Sequence, residues 1–346
     1  MSVTLITGGA GFVGTNLAER LLGAGERVRI LDDLSRPGVE DNLRWLESRH
    51  GSQLQVELGD VRDPSRVRRA LLDAGHVFHL AAQVAVTTSL VEPMHDASVN
   101  LTGTLNLLEA ARGMSRPPSI LFTSTNKVYG ALPDVPVEEV DGRYAPRDGE
   151  LAAHGIPEQR GLQFCTPYGC SKGAADQYVL DYAHSFGVPT VVFRMSCIYG
   201  THQFGTEDQG WVAHFLISAL REEPLTIFGT GRQVRDILFA EDLVEAMLLA
   251  RESIAELAGR PFNIGGGPGA AVSLLDVIGE IERLTGEAPS IAHEEWRTGD
   301  QRWYVSDTRA FREATGWAPR TAPRDGIAAL HAWLTEERSV SHGVAI

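Results

Sequence analysis

A glycine-rich turn between a buried strand and a helix is the feature that most limits how this chain can fold. Residues 3–7 are apolar and β-branched, and a helical pattern starts soon after them. The connecting turn has the sequence Gly8-Gly9-Ala10-Gly11-Phe12-Val13-Gly14. Glycines at this spacing allow a tight turn in which backbone N–H groups approach a pyrophosphate at a helix N-terminus. For the motif alone, an ordinary strand–helix turn remains the alternative.

A carboxylate is expected at the end of the second strand. Residues 27–32 form that strand, and Asp32 follows the glycines at about the 20-residue distance at which an acidic side chain meets the adenosine ribose. A carboxylate there would repel a 2′-phosphate, so we predict NAD as the cofactor in preference to NADP. Arg36 is close enough in sequence to keep NADP open as the alternative.

Further short apolar runs alternate with helical patterns along the first half of the chain. Strands are predicted at residues 53–58, 77–80, 119–124 and 190–194. This alternation predicts an α/β fold with a Rossmann-type, doubly wound parallel sheet, which binds ligands at the carboxyl ends of its strands. We expect an NAD-binding domain at 1–195 with an insertion at 131–166, interleaved with a smaller mixed α/β substrate lobe at 196–336. Residues 337–346 are expected to form a frayed tail.

Tyr168 and Lys172 are four residues apart in a segment with a helical pattern. That spacing places both side chains on one helix face. A positive charge near a phenol favours the phenolate, so we expect Lys172 to lower the pKa of Tyr168 and make it a base. Such a pair is also common on protein surfaces, and its meaning depends on what lies around it.

The composition excludes several function classes. A net charge of −14 disfavours nucleic acid and anionic membranes as partners, so an anionic substrate must be held by local cations. No apolar run reaches the roughly 18 residues that a membrane span needs, and we expect no signal peptide. Three cysteines without a ligand cluster predict a reducing, cytoplasmic setting, with neither a disulfide framework nor a metal site.

Taken together, the motifs resemble the extended short-chain dehydrogenase/reductase family, in particular its nucleotide-sugar epimerases and dehydratases. The matching segments occur in the family's order between residues 4 and about 310, and they are residues 7–14, 59–63, 79–83, 123–130 and 168–172 with Arg235-Asp236. Within the family, residues 124–130, 167–178 and 208–211 look most like the members that act at C2 of CDP-hexoses.

The resemblance implies a role for each of several residues. Thr125, Tyr168 and Lys172 are the expected catalytic residues, with Tyr168 as the acid/base. Positions that correspond to cofactor contacts are Gly8, Gly11, Phe12, Val13, Gly14, Asp32, Asp60, Val61, Ala81, Ala82, Gln83 and Asn100, together with Tyr168 and Lys172. Arg235 and Arg302 are expected to hold the substrate diphosphate, and Asn126, Cys197 and Gln203 to lie on the sugar side. Family members often dimerise through helices near Asn100 and Tyr178.

Two departures from the family pattern narrow the expected reaction. The family's 4,6-dehydratases usually carry an Asp-Glu pair after the catalytic Ser or Thr, whereas Asn126-Lys127 stands here. Cys197 replaces an Asn that often contacts the sugar. We therefore expect epimerisation of a nucleotide-diphosphate sugar, with a CDP-hexose and C2 favoured. The alternatives are a UDP-hexose 4-epimerase, a dehydratase, or a non-catalytic NAD-binding regulator.

Overall fold

The computed structural model of the protein describes residues 2–342. Its strands are β1 (Val3–Thr7), β2 (Val28–Asp32), β3 (Leu54–Leu58), β4 (Ala74–His79), β5 (Ser119–Thr125), β6 (Val137–Val140), β7 (Arg143–Pro146), β8 (Thr190–Met195), β9 (Cys197–Tyr199), β10 (Leu225–Phe228), β11 (Val234–Phe239), β12 (Arg260–Ile264), β13 (Ala271–Ser273), β14 (Ile291–Glu294) and β15 (Trp303–Tyr304).

The helices alternate with these strands through most of the chain. They are α1 (Phe12–Gly23), α2 (Val39–His50), α3 (Pro64–Ala70), α4 (Val86–Val91), α5 (Pro93–Ala97), α6 (Gly103–Arg112), α7 (Gly149–His154), α8 (Thr166–Phe186), α9 (Trp211–Leu220), α10 (Ala240–Glu252), α11 (Ile254–Leu257), α12 (Leu274–Thr285), α13 (Arg309–Thr315) and α14 (Pro323–His342). A π-helical turn at Ser98–Thr102 joins α5 to α6, so residues 93–112 are helical in three consecutive parts.

Seven parallel strands form the main sheet in the order β12-β8-β5-β4-β1-β2-β3. The order reverses direction at β1, which is the arrangement of a doubly wound sheet and confirms the predicted fold class. Because all seven strands run the same way, the carboxyl ends of β1, β2, β4 and β5 lie along one edge. The loops that carry the predicted site residues therefore meet there.

Apolar side chains cover both faces of this sheet, as expected for a parallel sheet between two helix layers. On one face Leu17, Leu21 and Met247 of α1 and α10 pack against the strands. On the other face Leu107 and Val179 of α6 and α8 do the same. Helix α8, which carries Tyr168 and Lys172, is thus fixed to the sheet by apolar packing.

A second lobe is built on a mixed sheet in which β11 pairs with β9, β13 and β15. Helices α9, α12 and α14 pack around β11 through residues such as Leu216, Ile281 and Leu330. Strand β12 leaves this lobe and joins the edge of the main sheet beside β8, so the lobes are interleaved in the chain. The predicted boundary at residue 195 stays a prediction.

The insertion at 131–166 contains the β6–β7 hairpin and α7. Ile156, which is fully buried, pairs with Ser306 and attaches the insertion to the substrate lobe. At the C-terminus α14 extends to His342, and the last part of the predicted frayed tail lies outside the described residues. Within residues 2–342, no helix is both long and apolar enough to cross a bilayer.

Candidate active site

The glycine turn after β1 is packed too closely for any side chain at its key positions. Gly8 has a φ of 68°, and a Cβ there would lie 2.8 Å from the backbone nitrogen of Ala81. A Cβ on Gly14 would lie 2.5 Å from the carbonyl oxygen of Gly8. These contacts press the first turn of α1 against the ends of β1 and β4 and leave a narrow backbone cradle at the helix N-terminus.

Asp32 closes one side of this cradle. Its carboxylate accepts hydrogen bonds from the backbone N–H of Ala10 at 3.0 Å and from that of Leu34 at 2.9 Å. Burial raises its pKa, while these backbone donors lower it. Asp60, at the end of the next loop, is instead bonded to Arg62 at 2.8 Å, which lowers the pKa of Asp60.

A cavity of about 180 Å³ opens beside the glycine turn. Phe12 and Val13, Ala82 and the end of β5 from Thr123 to Thr125 form much of its wall, and Tyr168, Lys172 and the segment after β8 complete it. The Ser124 hydroxyl in this wall is buried and has no hydrogen-bond partner within residues 2–342. A larger, open groove of about 480 Å³ lies between α3 and α6, and no predicted site residue lines it.

Tyr168 and Lys172 meet Thr125 in this cavity. Burial raises the pKa of Tyr168 to about 12, and a hydrogen bond with Thr125 acts in the opposite direction. Burial lowers the pKa of Lys172 to about 7. Its ammonium group donates to the carbonyl oxygen of Thr123 at 2.6 Å and lies 4.2 Å from the centre of the Phe122 ring. The pKa of Tyr168 is therefore raised rather than lowered as expected, because burial is the largest effect on it and Lys172 is not among the groups that shift it.

A carboxylate that sequence analysis did not single out lies near Tyr168 and Lys172. Asp96 is fully buried, and its Oδ1 accepts from the Asn100 amide at 3.1 Å. Its Oδ2 has no hydrogen-bond partner among the described residues. Burial raises the pKa of Asp96, and its charge in turn raises the pKa of both Lys172 and Tyr168. Its position one turn before Asn100 on the same helical segment was the only available sequence signal.

Asn100 connects the end of β4 to the catalytic helix. The Gln83 N–H donates to its side-chain oxygen at 2.9 Å, and its amide nitrogen lies 3.0 Å from Ser171 Oγ. Val61 is buried against Gly103. Ala82 lines the cavity and Ala81 contacts the glycine turn. Direct contacts with the cofactor stay predictions for these residues and for all the other cofactor positions named in the sequence analysis.

A cluster of two cations and one carboxylate lies beside the catalytic residues. Arg235 and Lys127 share Asp300: an Arg235 guanidinium nitrogen is 2.5 Å from Asp300 Oδ1, and Lys127 Nζ is 3.8 Å from it. Burial raises the pKa of Asp300, but the two cations outweigh that effect and hold it low. Burial lowers the pKa of Lys127, and Arg235 adds to the decrease. The cluster carries one excess positive charge, as an anionic ligand requires.

The remaining predicted substrate residues differ in their surroundings. Asn126 is buried and lies 3.4 Å from the Gln301 side chain, while Cys197 lies beside Arg235 and Trp211, with its thiol pKa raised by burial. Gln203 is buried, with its amide directed to the carbonyl oxygen of Ile198. Arg302 is exposed and packs 5.8 Å from the ring centres of Tyr144 and Trp296, away from the Arg235 cluster.

Another arginine near this lobe was missed by sequence analysis. Arg297 stacks 3.7 Å from the ring centre of Phe228 and pairs with Glu207 at 2.8 Å. It comes from the same segment as Gly299, whose carbonyl oxygen is 3.3 Å from Lys127 Nζ. In the described part of the chain, no three His, Cys, Asp or Glu side chains group as metal ligands would.

These residues fit a bound NAD. Gly8 and Gly14 leave no room for a side chain in the turn, and the Asp32 carboxylate is hydrogen-bonded to the same turn through the Ala10 N–H. The unpartnered Ser124 hydroxyl and the Tyr168–Lys172 pair face one cavity. The carboxyl edge of the sheet can therefore hold a dinucleotide with its reactive end at Thr125 and Tyr168.

The chain is similar to known proteins in both sequence and structure. Residues 4–265 match the family described as NAD dependent epimerase/dehydratase family. The chain is 42% identical over 338 residues to CDP-paratose 2-epimerase from Salmonella typhi, covering 96% of this chain and 98% of that protein. The solved structure of UDP-glucose 4-epimerase from Thermotoga maritima with UDP-glucose is similar with a TM-score of 0.83, at 28% identity, covering 97% of this chain and 99% of that one.

A second solved structure contains the cofactor. UDP-glucuronic acid 4-epimerase from Bacillus cereus, in complex with UDP-glucuronic acid and NAD, is similar with a TM-score of 0.82 at 26% identity, covering 97% of this chain and 99% of that one. These matches confirm the family inferred from the motifs, the enzyme class and NAD as the cofactor. The chain belongs to the NAD dependent epimerase/dehydratase family.

Proposed function

We propose that this protein inverts C2 of a CDP-hexose, by transient oxidation to a keto sugar and return of the hydride to the other face. The observation that carries the proposal is the meeting of Thr125, Tyr168 and Lys172 in one cavity beside the dinucleotide cradle. The similarity to the Salmonella typhi enzyme favours the CDP-hexose and the C2 position.

Tyr168 is the proposed acid/base. Its phenolate takes the proton of the sugar hydroxyl, and the Thr125 hydroxyl donates a hydrogen bond to the oxygen where charge changes. Bound NAD would supply the hydride acceptor and the positive charge of its nicotinamide ring. Such a charge near the phenol favours the phenolate, which offsets the effect of burial on the Tyr168 pKa. Lys172, held by the Thr123 carbonyl, orients the nicotinamide ribose.

The substrate grip lies in the second lobe. Arg235 holds the diphosphate, with Arg302 as a further proposed contact, and Asn126, Cys197 and Gln203 lie on the sugar side. Because the diphosphate is held firmly, the keto sugar can rotate within the site before the hydride returns to its other face. The residues after Thr125 disfavour a dehydratase, because Asn126 and Lys127 offer no carboxyl group for the elimination of water.

Product analysis tests the proposal directly. The purified protein is incubated with CDP-paratose, CDP-glucose and UDP-glucose, and each product is identified by NMR. We expect inversion at C2 of a CDP-hexose without net consumption of NAD. In D₂O the inverted carbon should keep its hydrogen, since hydride is transferred and returned. Deuterium at that carbon would indicate deprotonation and contradict the mechanism.

A UDP-hexose 4-epimerase is the second candidate. The observation that favours it is the similarity of the whole fold to the Thermotoga maritima enzyme. Conversion of UDP-glucose to its C4 epimer in the same experiment, with CDP-hexoses unchanged, would select it. Bound NAD without turnover of any of these sugars would favour a non-catalytic regulator.

We also propose a cytoplasmic homodimer. Val91 and Met94 on α4 and α5 are each 81% exposed, and Tyr178 and Phe186 on α8 are about half exposed. These apolar side chains lie on helices that pack together, and a second copy of the chain would bury them. Sedimentation equilibrium should give twice the chain mass, and Met94→Lys should shift it toward the monomer. All three cysteines are free, which suits a reducing compartment.

A further inference from the structure

Lysine is almost absent from this chain. Of the 31 basic residues, two are lysines, Lys127 and Lys172, and the other 29 are arginines. Arginine is present even in exposed ion pairs such as Arg44–Asp41 and Arg112–Glu109, where either cation would serve. A position that needs only a positive charge is therefore filled by arginine in this protein. Lysine at two positions indicates that an amine itself is required there.

Both lysines lie at the candidate active site. Lys172 is one of the proposed catalytic residues, but Lys127 has no role in the function proposed above. The Lys127 backbone N–H donates to the Thr125 hydroxyl at 3.2 Å, which ties it to the catalytic end of β5. Its side chain extends to the other lobe, where Nζ is 3.3 Å from the Gly299 carbonyl oxygen and 3.8 Å from Asp300.

Lys127 is placed to bind an anion rather than to stabilise Asp300 alone. Asp300 already has a shorter ion pair with Arg235, at 2.5 Å, so the second cation is in excess. The Lys127 side chain is 22% exposed and is therefore not fully enclosed by protein. A like charge nearby destabilises each cation, and a bound phosphate would relieve this repulsion.

We propose that Lys127 binds the sugar-side phosphate of the nucleotide diphosphate sugar and so sets which sugar carbon faces Thr125 and Tyr168. This inference rests on the proposed function and names a substrate-binding residue for it. C2 is bonded to the carbon that carries the phosphate, whereas C4 lies across the ring. An enzyme that oxidises C2 must therefore hold the phosphate close to its catalytic hydroxyl groups. A cation two residues after Thr125 meets that requirement.

The requirement also explains why lysine stands at position 127. An ammonium group is a compact donor on a flexible stem, whereas guanidinium is a larger planar fork that suits bidentate contacts. Beside Thr125 the compact group can approach a phosphate oxygen without displacing the reacting sugar. Arginine at this position would keep the charge but enlarge the group that must fit between the phosphate and Asp300.

The scarcity of lysine makes a direct binding experiment possible. When the whole protein with its NAD is labelled with ¹³C-lysine, its NMR spectrum contains two lysine side chains, and Lys127→Met assigns them. Addition of CDP should shift the ¹³Cε signal of Lys127, and addition of CMP, which lacks the sugar-side phosphate, should shift it much less. UDP and UMP repeat the comparison if the nucleobase is uracil.

Affinity and kinetics complete the test. Lys127→Met should weaken CDP binding by about 10- to 100-fold and leave CMP binding nearly unchanged, as expected for loss of a charged hydrogen bond. Lys127→Arg should recover part of the CDP affinity while turnover stays well below that of the unsubstituted protein. Arg324→Gln, which removes an exposed cation of the same lobe that pairs with Glu280, is the matched control, and NAD content and melting temperature report folding.

Three results would overturn the inference. They are an unchanged Lys127 signal on addition of CDP and UDP, equal CDP and CMP losses in Lys127→Met, or full turnover in Lys127→Arg. The NMR measurement uses the unsubstituted protein, and Lys172→Met or Lys127→Arg assigns its two lysine signals if Lys127→Met does not fold. Failure of the proposed function is distinct, because it would be a C4 product or no turnover, whatever the behaviour of Lys127.

Discussion

The cofactor edge of the main sheet and the substrate grip of the second lobe are built in different ways. At the cofactor edge, residues 8–14 form the cradle as one continuous segment, and backbone atoms make its close contacts. In the substrate grip, Lys127 meets Gly299 across 172 positions, and Arg235 meets Asp300 across 65. A backbone-built site can be recognised in a short motif, whereas a site built from distant side chains exists only once the chain has folded.

The electrostatics of the two regions differ as well. At the cofactor edge desolvation dominates, raising the pKa of Tyr168 and lowering that of Lys172. In the substrate grip charge pairing dominates, because Asp300 keeps a low pKa despite its burial. We infer that the first region depends on a bound charged partner to become reactive, while the second is already ordered for an anion.

The largest effect should follow from removing the proposed base. Tyr168→Phe should lower kcat for epimerisation by about 10²- to 10⁴-fold, since no group then accepts the hydroxyl proton. NAD content should stay the same, because the ring still fills its place. Tyr182→Phe on the same helix, which loses a hydrogen bond to Glu109, is the control and should retain kcat. A Tyr168→Phe rate near that of the unsubstituted protein would sink the assignment.

Lys172 should give the cofactor edge a pH-dependent stability. Its pKa is about 7 when folded, against an ordinary value of 10.5. Between these values the unfolded chain binds the extra proton, so the free energy of unfolding should increase as pH rises from about 7 to about 10. The total gain is on the order of a few kcal/mol, and below pH 7 the full cost of the buried ammonium remains.

Lys172→Met should remove this slope. Urea denaturation of both proteins at pH 7 and pH 9.5, at equal NAD saturation, measures it. The unsubstituted protein should gain stability relative to the variant as pH rises. If the free energy of unfolding changes equally with pH in both proteins, the pKa of Lys172 is the same in the folded and unfolded states, and the prediction is wrong.

A side chain added in the glycine turn should weaken NAD binding at the cofactor edge and leave the substrate grip intact. In Gly14→Ala the added Cβ would meet Gly8 at 2.5 Å and Gly9 at 2.6 Å. Overpacking of this kind costs about 1–3 kcal/mol, and the turn must shift away from the dinucleotide. We expect less NAD released per chain on denaturation. Gly23→Ala, where no atom lies within 4 Å, should keep its NAD, and equal losses in both variants would contradict the cradle.

The smallest expected effect is a difference in KM between substitutions of two arginines in the substrate grip, Arg235 and Arg302. Arg235→Gln should raise KM for the nucleotide sugar by about 10- to 100-fold, because a charged hydrogen bond to the diphosphate is lost. Arg302→Gln should raise KM less than Arg235→Gln does, since Arg302 packs over Tyr144 and Trp296. Initial rates over a range of substrate concentrations measure both. Equal effects would mean that the diphosphate lies between the two arginines, as the family resemblance implies.

The sequence predicted the cofactor edge far better than the substrate grip. Periodicity and glycine spacing were enough for the sheet, the turn and Asp32, because neighbouring residues form these features. The Lys127–Asp300–Arg235 cluster could not be predicted, since nothing in one segment reveals its partner in another. The burial of Tyr168 could not be predicted from the sequence either. Burial raises the pKa of Tyr168, so the decrease expected from the Lys172 charge alone had the wrong sign.

Strand β12 has a consequence for how the protein is made. It is an outer strand of the main sheet, yet its residues follow β9, α9, β10 and β11 of the second lobe, and the sheet is complete only after Ile264. During synthesis the first 195 residues leave the ribosome with β8 as an unpaired edge that a neighbouring chain could occupy. The sheet that carries the glycine turn therefore cannot be completed until β12 has been synthesised. A shortened gene product ending near residue 195 should aggregate.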